Sequence, residues 1–368
     1  VSLWLIPFSP QRHKNTERDL KICGPSSTFA PMAGILTKSF STLVLLFLSL
    51  AAAAQYDSAY IKTYSDYLSL IAASSDRIYS LTIKDAENKD NNASYQNSAG
   101  TSIGVGFDYK WLALEYQQSI GNTTTSSEPK SLFSYISLGL SGQKFYAKMF
   151  YQDQQGMYLD GHGGINLPGA GQPQIYRDDI RCRTLFLTGN YLFNGRKYSN
   201  SAAVNQSARQ LKSVGSFVAG LSFISNSITS DSDMVPKSVG FSIGENGRMV
   251  KGLVNSIIPQ AGYTHMFVHK TFYLAITAIP GVNFVSFVKE LSNNESAEGT
   301  ETSGFFLEER ISIGYNGDKF YAGIGTNGYL FTGEFDSNPV TQNHQYFRLQ
   351  FGIRFLVKKP KFFPEKIF

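Results

Sequence analysis

The stretch YFRLQFGIRFLVKK, Tyr346 to Lys359, puts Phe347, Leu349, Phe351, Ile353 and Phe355 on every second residue, with Arg348, Gln350, Gly352 and Arg354 between them. An amphipathic helix would repeat its apolar residues at spacings of three and four. The strict alternation therefore predicts an extended strand with one apolar and one polar face. A soluble sheet and a membrane barrel both alternate in this way, so the strand alone does not say what each face touches.

The same period of two recurs along the chain. Ile103, Val105, Phe107 and Tyr109 alternate with Gly104, Gly106 and Asp108, and Phe217, Ala219, Leu221 and Phe223 alternate with Ser216, Gly220 and Ser222. Thirteen strands are predicted, at 77–85, 99–109, 111–119, 131–141, 144–152, 181–193, 197–206, 213–225, 255–267, 270–288, 302–315, 319–332 and 345–357. The segments LSGQKF (Leu140 to Phe145), FNGRKY (Phe193 to Tyr198) and YNGDKF (Tyr315 to Phe320) share one signature, an apolar residue, Asn or Ser, Gly, any residue, Lys and an aromatic. Asn-Gly and Ser-Gly accept the positive φ of tight hairpins, so each predicts a short turn, as do DYKWL and FVHKTF. By contrast, 119–131, 153–180, 225–254, 289–302 and 333–345 read as long polar loops. Short turns alternating with long loops are the arrangement of an outer-membrane barrel, in which an even strand count is expected. KSVGFSI (Lys237 to Ile243) is the best candidate for a missing strand. The expected fold is all-β: a transmembrane, up-and-down antiparallel barrel of about fourteen strands, with twelve as the alternative.

Composition agrees. Of 368 residues, 28 are Phe, 21 Tyr and 33 Gly, a mixture rich in strand formers. Met32 opens MAGILTKSFSTLVLLFLSLAAAAQ, with Lys38 as the positive start, Ser39 to Leu50 as the apolar stretch and Ala52 and Ala54 as small residues before a cleavage point. Residues 1–31 read as upstream of the true start, 32–54 as a signal peptide, 55–75 as a periplasmic lead-in, 76–357 as the barrel and 358–368 as a tail. A retained anchor is the alternative for the apolar stretch, whose core is shorter than the roughly 20 residues a spanning helix needs. Residues 1–54 carry five of the 33 basic and two of the 28 acidic residues, leaving 28 against 26, a net charge of only +2. Nucleic acid is thus not an expected partner. Cys182 is the lone cysteine after the leader, which excludes an internal disulfide and a cysteine metal site.

With the segments GVGFDYKWLALEY (Gly104 to Tyr116), YQDQQGMYLDG (Tyr151 to Gly161), RDDI (Arg177 to Ile180) and NYLFNGRKYSNSAAVNQSARQLKSVGSFVAGLSF (Asn190 to Phe223), the chain resembles an uncharacterised family of Bacteroidetes outer-membrane β-barrels, a domain of unknown function. The resemblance spans essentially everything after the leader. It implies fold and a bacterial outer-membrane location, with no activity to carry over.

The chemistry expected from the residues is sparse. Glu115, Lys148, Glu308, Arg310, Arg348 and Arg354 are candidate lumen charges, with Asp108 beside them, either as paired ladders bracing the barrel or as the lining of a small channel. Glu308 and Arg310 are expected to face Arg348 and Arg354. His265 and His269 lie four apart, but on a strand and its turn, which suits one metal ion poorly. His162, and Asp178 with Asp179, are the candidates for a surface hydrolase, against a plain loop-to-strand junction. Asp231 and Asp233 lack the remaining ligands of a calcium loop. No catalytic, cofactor-binding or metal residue is assigned and no enzyme activity is expected. Tyr60, Tyr64 and Leu68 predict a short helix capping the periplasmic mouth, or else a disordered lead-in. The expected role is a monomeric structural barrel or small-solute channel, in contact with outer-membrane lipid and inserted by the barrel assembly machinery. A barrel hydrolase and a secreted soluble β-sandwich are the alternatives.

Overall fold

The computed structural model describes residues 56–88, 91–98, 100–120, 131–160, 175–237, 243–293, 295–298, 302–335 and 337–357. The expectations for 1–54, for the tail 358–368 and for His162 lie outside them. The strands are β1 (Ile61–Thr63), β2 (Tyr67–Lys84), β3 (Asn92–Gln96), β4 (Thr101–Tyr109), β5 (Leu112–Ser119), β6 (Leu132–Ser141), β7 (Phe145–Asp160), β8 (Ile175–Leu192), β9 (Ala208–Gln210), β10 (Val214–Thr229), β11 (Met249–His269), β12 (Phe272–Leu291), β13 (Ser296–Glu298), β14 (Thr302–Asn316), β15 (Phe320–Phe335) and β16 (Asn338–Leu356). One short helix, α1 (Asn200–Val204), lies between β8 and β9.

The large sheet has fourteen strands, all paired antiparallel, and closes on itself because β12 also pairs with β11. Twelve strands make the ring: β2, β4 to β8, β10 to β12 and β14 to β16. The other two, β3 and β13, extend the wall at the loop end. Strands β4 to β6 are the short ones, and β3 pairs with both β2 and β7 where they rise past their neighbours. The predicted barrel is present.

The alternation of the opening stretch is now explained. Phe347, Leu349, Phe351 and Phe355 are about half exposed on the outer surface, while Gln350 and Arg354 are buried inside. The same holds around the ring: Val105, Phe217, Leu221, Ile257, Phe284 and Ile311 all point outward and are exposed. On β14 the apolar band runs from Tyr315 up to Phe305, which at ~3.3 Å per residue and a tilt of ~40° makes it ~25 Å tall, matching the hydrocarbon layer of an outer membrane. Large apolar side chains on the outside of a closed ring, with polar ones within, need lipid as their solvent. The protein is an outer-membrane β-barrel. One residue departs from the band: Glu309 is exposed on the outer face between Leu307 and Ile311.

Several sequence expectations are corrected. The predicted strand 197–206 is instead the turn leading into α1, whose N-cap Ser199 accepts a hydrogen bond from the Ala202 amide. FNGRKY is therefore not a hairpin turn, although LSGQKF and YNGDKF are. Tyr60, Tyr64 and Leu68 belong to no helix: Ile61–Thr63 pairs with Ala208–Gln210 as a two-stranded ribbon, and β2 begins at Tyr67, earlier than the 76 read from sequence. The predicted loop 333–345 is largely strand, with only residues 336–337 between β15 and β16. In the extra-strand candidate, residues 238–242 lie outside the described ones, and Ile243 forms only an isolated bridge with Glu245.

Candidate functional site

The interior divides into three layers, each set by the inward residues of the strands. At the loop end it is apolar. Tyr79, Leu81, Ile83, Met157, Met234 and Phe335 belong to one buried cluster, in which Phe287 and Phe335 stack at 4.0 Å between ring centroids. The segment after β10 is drawn into this cluster by Arg177. Its guanidinium donates to the Asp233 and Met234 carbonyls at 3.0 and 3.1 Å while two of its nitrogens bond Asp179 at 2.7 Å. Asp179 is thus held in an ion pair that closes the loop end, and Asp178 is exposed rather than paired with it as an acid couple.

Beneath lies an aromatic layer. Phe150 and Phe186 stack at 5.0 Å, and Phe186 meets Tyr329 at 4.9 Å. Arg77 sits in this layer with its guanidinium carbon 4.0 Å from the Tyr135 ring centre and 4.5 Å from that of Tyr346. Planar stacking of this kind satisfies a buried guanidinium where carboxylates are few.

The third layer, at the turn end, is a plug made by residues 193–213 folded back into the ring and joined to β1. Arg354 fixes it. Its guanidinium donates to the Gln206 and Gly317 carbonyls and, at 2.8 Å, to Asn316 Oδ1, and it stacks 4.0 Å from the Tyr64 ring centre. Asn316 Nδ2 donates to the Ala208 carbonyl at 2.9 Å, Ser312 Oγ to the Ala203 carbonyl at 3.2 Å, and Asn205 Nδ2 to Asp108 Oδ1 at 2.8 Å. Gln206 holds a left-handed backbone conformation, φ 59°, at the bend that turns the helix into β9. Outside the ring, the turn residue Asp318 accepts from Lys62 Nζ at 2.8 Å and from Tyr64 Oη at 2.7 Å, which holds its carboxyl down to about 2.

Between plug and aromatic layer is a chamber of about 120 Å³. Its wall carries Asp108, Glu115, Lys148, Glu308, Arg310 and Arg348, and α1 contributes Asn200 and Ala203. Five of the six charges expected in the lumen thus line one space, and Arg354 lies below it at the plug. Their pairing differs from the expectation. Glu115 pairs with Arg348 at 2.7 Å over the two strands between them, β4 and β2, Glu308 with Arg310 at 3.4 Å along one strand, and Arg354 has no carboxylate partner among the described residues. Lys148 rests over the Phe150 and Tyr346 rings, 5.7 and 6.0 Å from their centres, with no ion pair among the described residues. Asp108 Oδ2, Glu308 Oε2, Asn327 Oδ1, Gln350 Oε1 and the Nε of Arg310 and Arg348 are buried without a protein partner.

Sequence reasoning missed Arg77, the tyrosines Tyr329 and Tyr346, and the plug. Arg77 was legible as an inward position two residues from Tyr79 on β2. The plug had a signal in Ser199 before Asn-Ser-Ala-Ala, a helix cap followed by small residues. His265 faces outward, hydrogen-bonded to Tyr263 at 3.2 Å and packed on Phe267, as part of the lower aromatic girdle.

Among solved structures the chain is similar to the outer membrane protease OmpT from Escherichia coli, with a TM-score of 0.39, 10% identity and coverage of 79% of this chain and 98% of that one. It is also similar to the toluene transporter TodX of P. putida, with 0.27, 7%, 80% and 91%, and to the transport unit of the autotransporter AIDA-I from Escherichia coli, with 0.27, 13%, 84% and 97%. At these TM-scores the likeness carries neither strand count nor activity. No curated protein matches the sequence. A family model does match, over residues 55–355, the span that holds the plug, the chamber and every strand of the ring but the last residue of β16. The chain belongs to the family described as a domain of unknown function, DUF4421.

Proposed function

We propose that the protein handles small polar solutes in its charged chamber and is closed at rest, acting neither as a permanently open pore nor as an enzyme. The observation that carries this reading is the chamber itself. An interior built only to brace the wall is most stable when apolar or fully paired, because each buried polar atom left without a partner costs about 1–3 kcal/mol. Here several such atoms, and the unpaired Lys148, face one space. Above it lie the aromatic layer and the apolar cluster. Below it lies a plug held by polar contacts through Arg354, Asn316 and Asp108 and by the packing of Tyr198 and Ala202 against the wall. Asp179, the best placed acid at the outer surface, is occupied by Arg177, which supports a non-enzymatic role.

Conductance in planar bilayers tests the proposal. The intact barrel is expected to be silent or to open rarely, and Arg354→Ala combined with Asn316→Ala is expected to give frequent openings carrying small ions. Steady ohmic current from the intact barrel would contradict closure. Silence of the folded double variant would favour a purely structural barrel.

A further inference from the structure

Short turns mark the periplasmic end of an outer-membrane barrel, and in this chain that end is basic. Each of its five connections carries lysine: Lys110 between β4 and β5, Lys144 between β6 and β7, Lys197 and Lys212 between β8 and β10, Lys270 between β11 and β12, and Lys319 between β14 and β15. Lys62, Arg196 and Arg209 add to them, against the acids Asp57, Asp66 and Asp318.

Pairing separates this end from the other. At the loop end Arg177 pairs with Asp179, Arg181 and Arg183 with Asp153, Lys251 with Glu290 and Lys289 with Glu245. At the turn end Lys62 and Arg209 share Asp318, Asp57 accepts from the Ala59 amide, and no other cation on the connections has a carboxylate partner among the described residues. Lys197 and Lys212 instead converge on one ring, their ammonium groups 5.1 and 5.2 Å from the centre of Tyr60. Like charges gathered in this way repel, and an anion beside them relieves the repulsion. Lys110 and Lys270 also hold left-handed conformations, φ 55° and 56°, where Gly or Asn fits with less strain. A charged side chain thus occupies both turns at a cost in backbone strain.

Depth identifies the anion. Phe272 and Phe320 are exposed on the outer face where the apolar band ends, and Lys270 and Lys319 lie within two residues of them. Lys110 and Lys144 hold the same place beside Tyr109 and Phe145. A lysine stem starting there ends at the phosphate level of the leaflet, not out in the aqueous periplasm. The five connections are spread around the ring, which suits lipid on every side better than one partner's surface. We infer that the turn end binds anionic phospholipid of the periplasm-facing leaflet, the turn lysines contacting head-group phosphates and Lys197 with Lys212 adding a further contact beside the plug. An anionic head group brings a phosphate with no ammonium of its own, which is what unpaired lysines favour. This holds whether or not the chamber takes solute.

The test uses the whole barrel in phosphatidylcholine vesicles. The probe is spin-labelled phosphatidylglycerol or phosphatidylcholine, and the readout is the motionally restricted fraction of its spectrum. Phosphatidylglycerol is expected to associate about fivefold more strongly, the effect of one lysine at an anionic surface. The preference should fade in about 1 M salt. Removing the turn charges, with Asn at the left-handed positions (Lys110→Asn, Lys270→Asn) and Gln at the others (Lys144→Gln, Lys319→Gln), should cut it to about twofold or less. At the loop end, Lys84→Gln with Lys237→Gln should leave it intact. Equal association of the two lipids with the unaltered protein, or a preference undiminished by salt or by the fourfold variant, would overturn the inference. Should that variant fail to fold, the salt series on the unaltered protein decides alone. Binding of soluble polyglutamate without any lipid preference would assign the face to an acidic polymer and would equally overturn it.

Discussion

The two ends of the barrel are closed by different means. At the loop end, closure comes from apolar area: Phe287, Phe335, Leu81, Ile83 and Tyr79 are essentially fully buried and pack side to side. At the turn end, closure is mixed: Tyr198, Ala202, Ala203 and Ala208 of the plug pack against Tyr146, Leu192, Met266 and Tyr273 of the wall, and directed polar contacts with Arg354 as the hub tie the segment in place. Apolar packing of this kind is lost only when the wall itself loosens. The polar contacts of the plug can be exchanged for water, each net worth about 0.5–1.5 kcal/mol, while its smaller apolar face must be uncovered as well. The loop end is thus part of what holds the fold, and the turn end is where single polar substitutions are expected to act locally.

That contrast breaks most visibly at Phe287. Phe287→Ala is expected to destabilise the barrel by about 3–5 kcal/mol, read from urea unfolding in lipid vesicles, without raising conductance. At the other end Arg354→Ala should do the reverse. Its expected effect is a loss of about 2–3 kcal/mol in plug docking, from several charge-assisted bonds, with little change in global unfolding. Hydrogen exchange at Ala208–Gln210 set against exchange on β15 separates the two. If Arg354→Ala instead unfolds the barrel as a whole, the plug is structural and the contrast fails.

Two smaller effects sharpen it. Glu309 places a carboxylate in the lipid-facing band, so Glu309→Leu should raise stability by about 1–2 kcal/mol and leave both closures unchanged. Asp318 links the ribbon strand β1 to the turn before β15, and its carboxyl is held at about 2, below its ordinary value of 3.8, by Lys62 and Tyr64. A group with a depressed folded-state pKa contributes its stabilisation above the ordinary value and loses it as pH falls through the folded one. A spin label at Ser207 is therefore expected to gain mobility between about pH 4 and pH 2, and the loop-end cluster to show no such change. The effect is small because the Asp318 side chain is 60% exposed.

How much of this was legible in the sequence follows the solvent. Where a strand has lipid on one side and the lumen on the other, as in Phe347 to Phe355, alternation is enforced and the strand was readable. Above the band the outer side meets water while the inner side still packs into the apolar cluster. Asn338 to Gln345, Asp153 to Tyr158 and Met249 to Val254 continue the wall with no apolar outer face required, and these stretches read as loop. The lumen charges were recognisable because a charge at an inward position stands out among outward phenylalanines. Their partners were not: the ion pair of Glu115 and Arg348 joins strands far apart in the chain that only ring closure brings near each other, and closure has no sequence period. The plug was hidden for a related reason. FNGRKY carries the same turn signature as two true hairpins, and only the ring shows that the chain after it turns inward.

The central claim is that lipid bathes the odd-numbered residues of Phe347 to Phe355 while a sealed interior holds the even-numbered ones. Spin labels placed singly along this stretch in lipid vesicles measure it directly, by their accessibility to oxygen and to a water-soluble nickel relaxant. The account predicts a period of two, with high oxygen and low nickel accessibility at 347, 349, 351 and 355 and low values of both at 348, 350 and 352. High nickel accessibility at the odd positions, or one uniform value throughout, would contradict it.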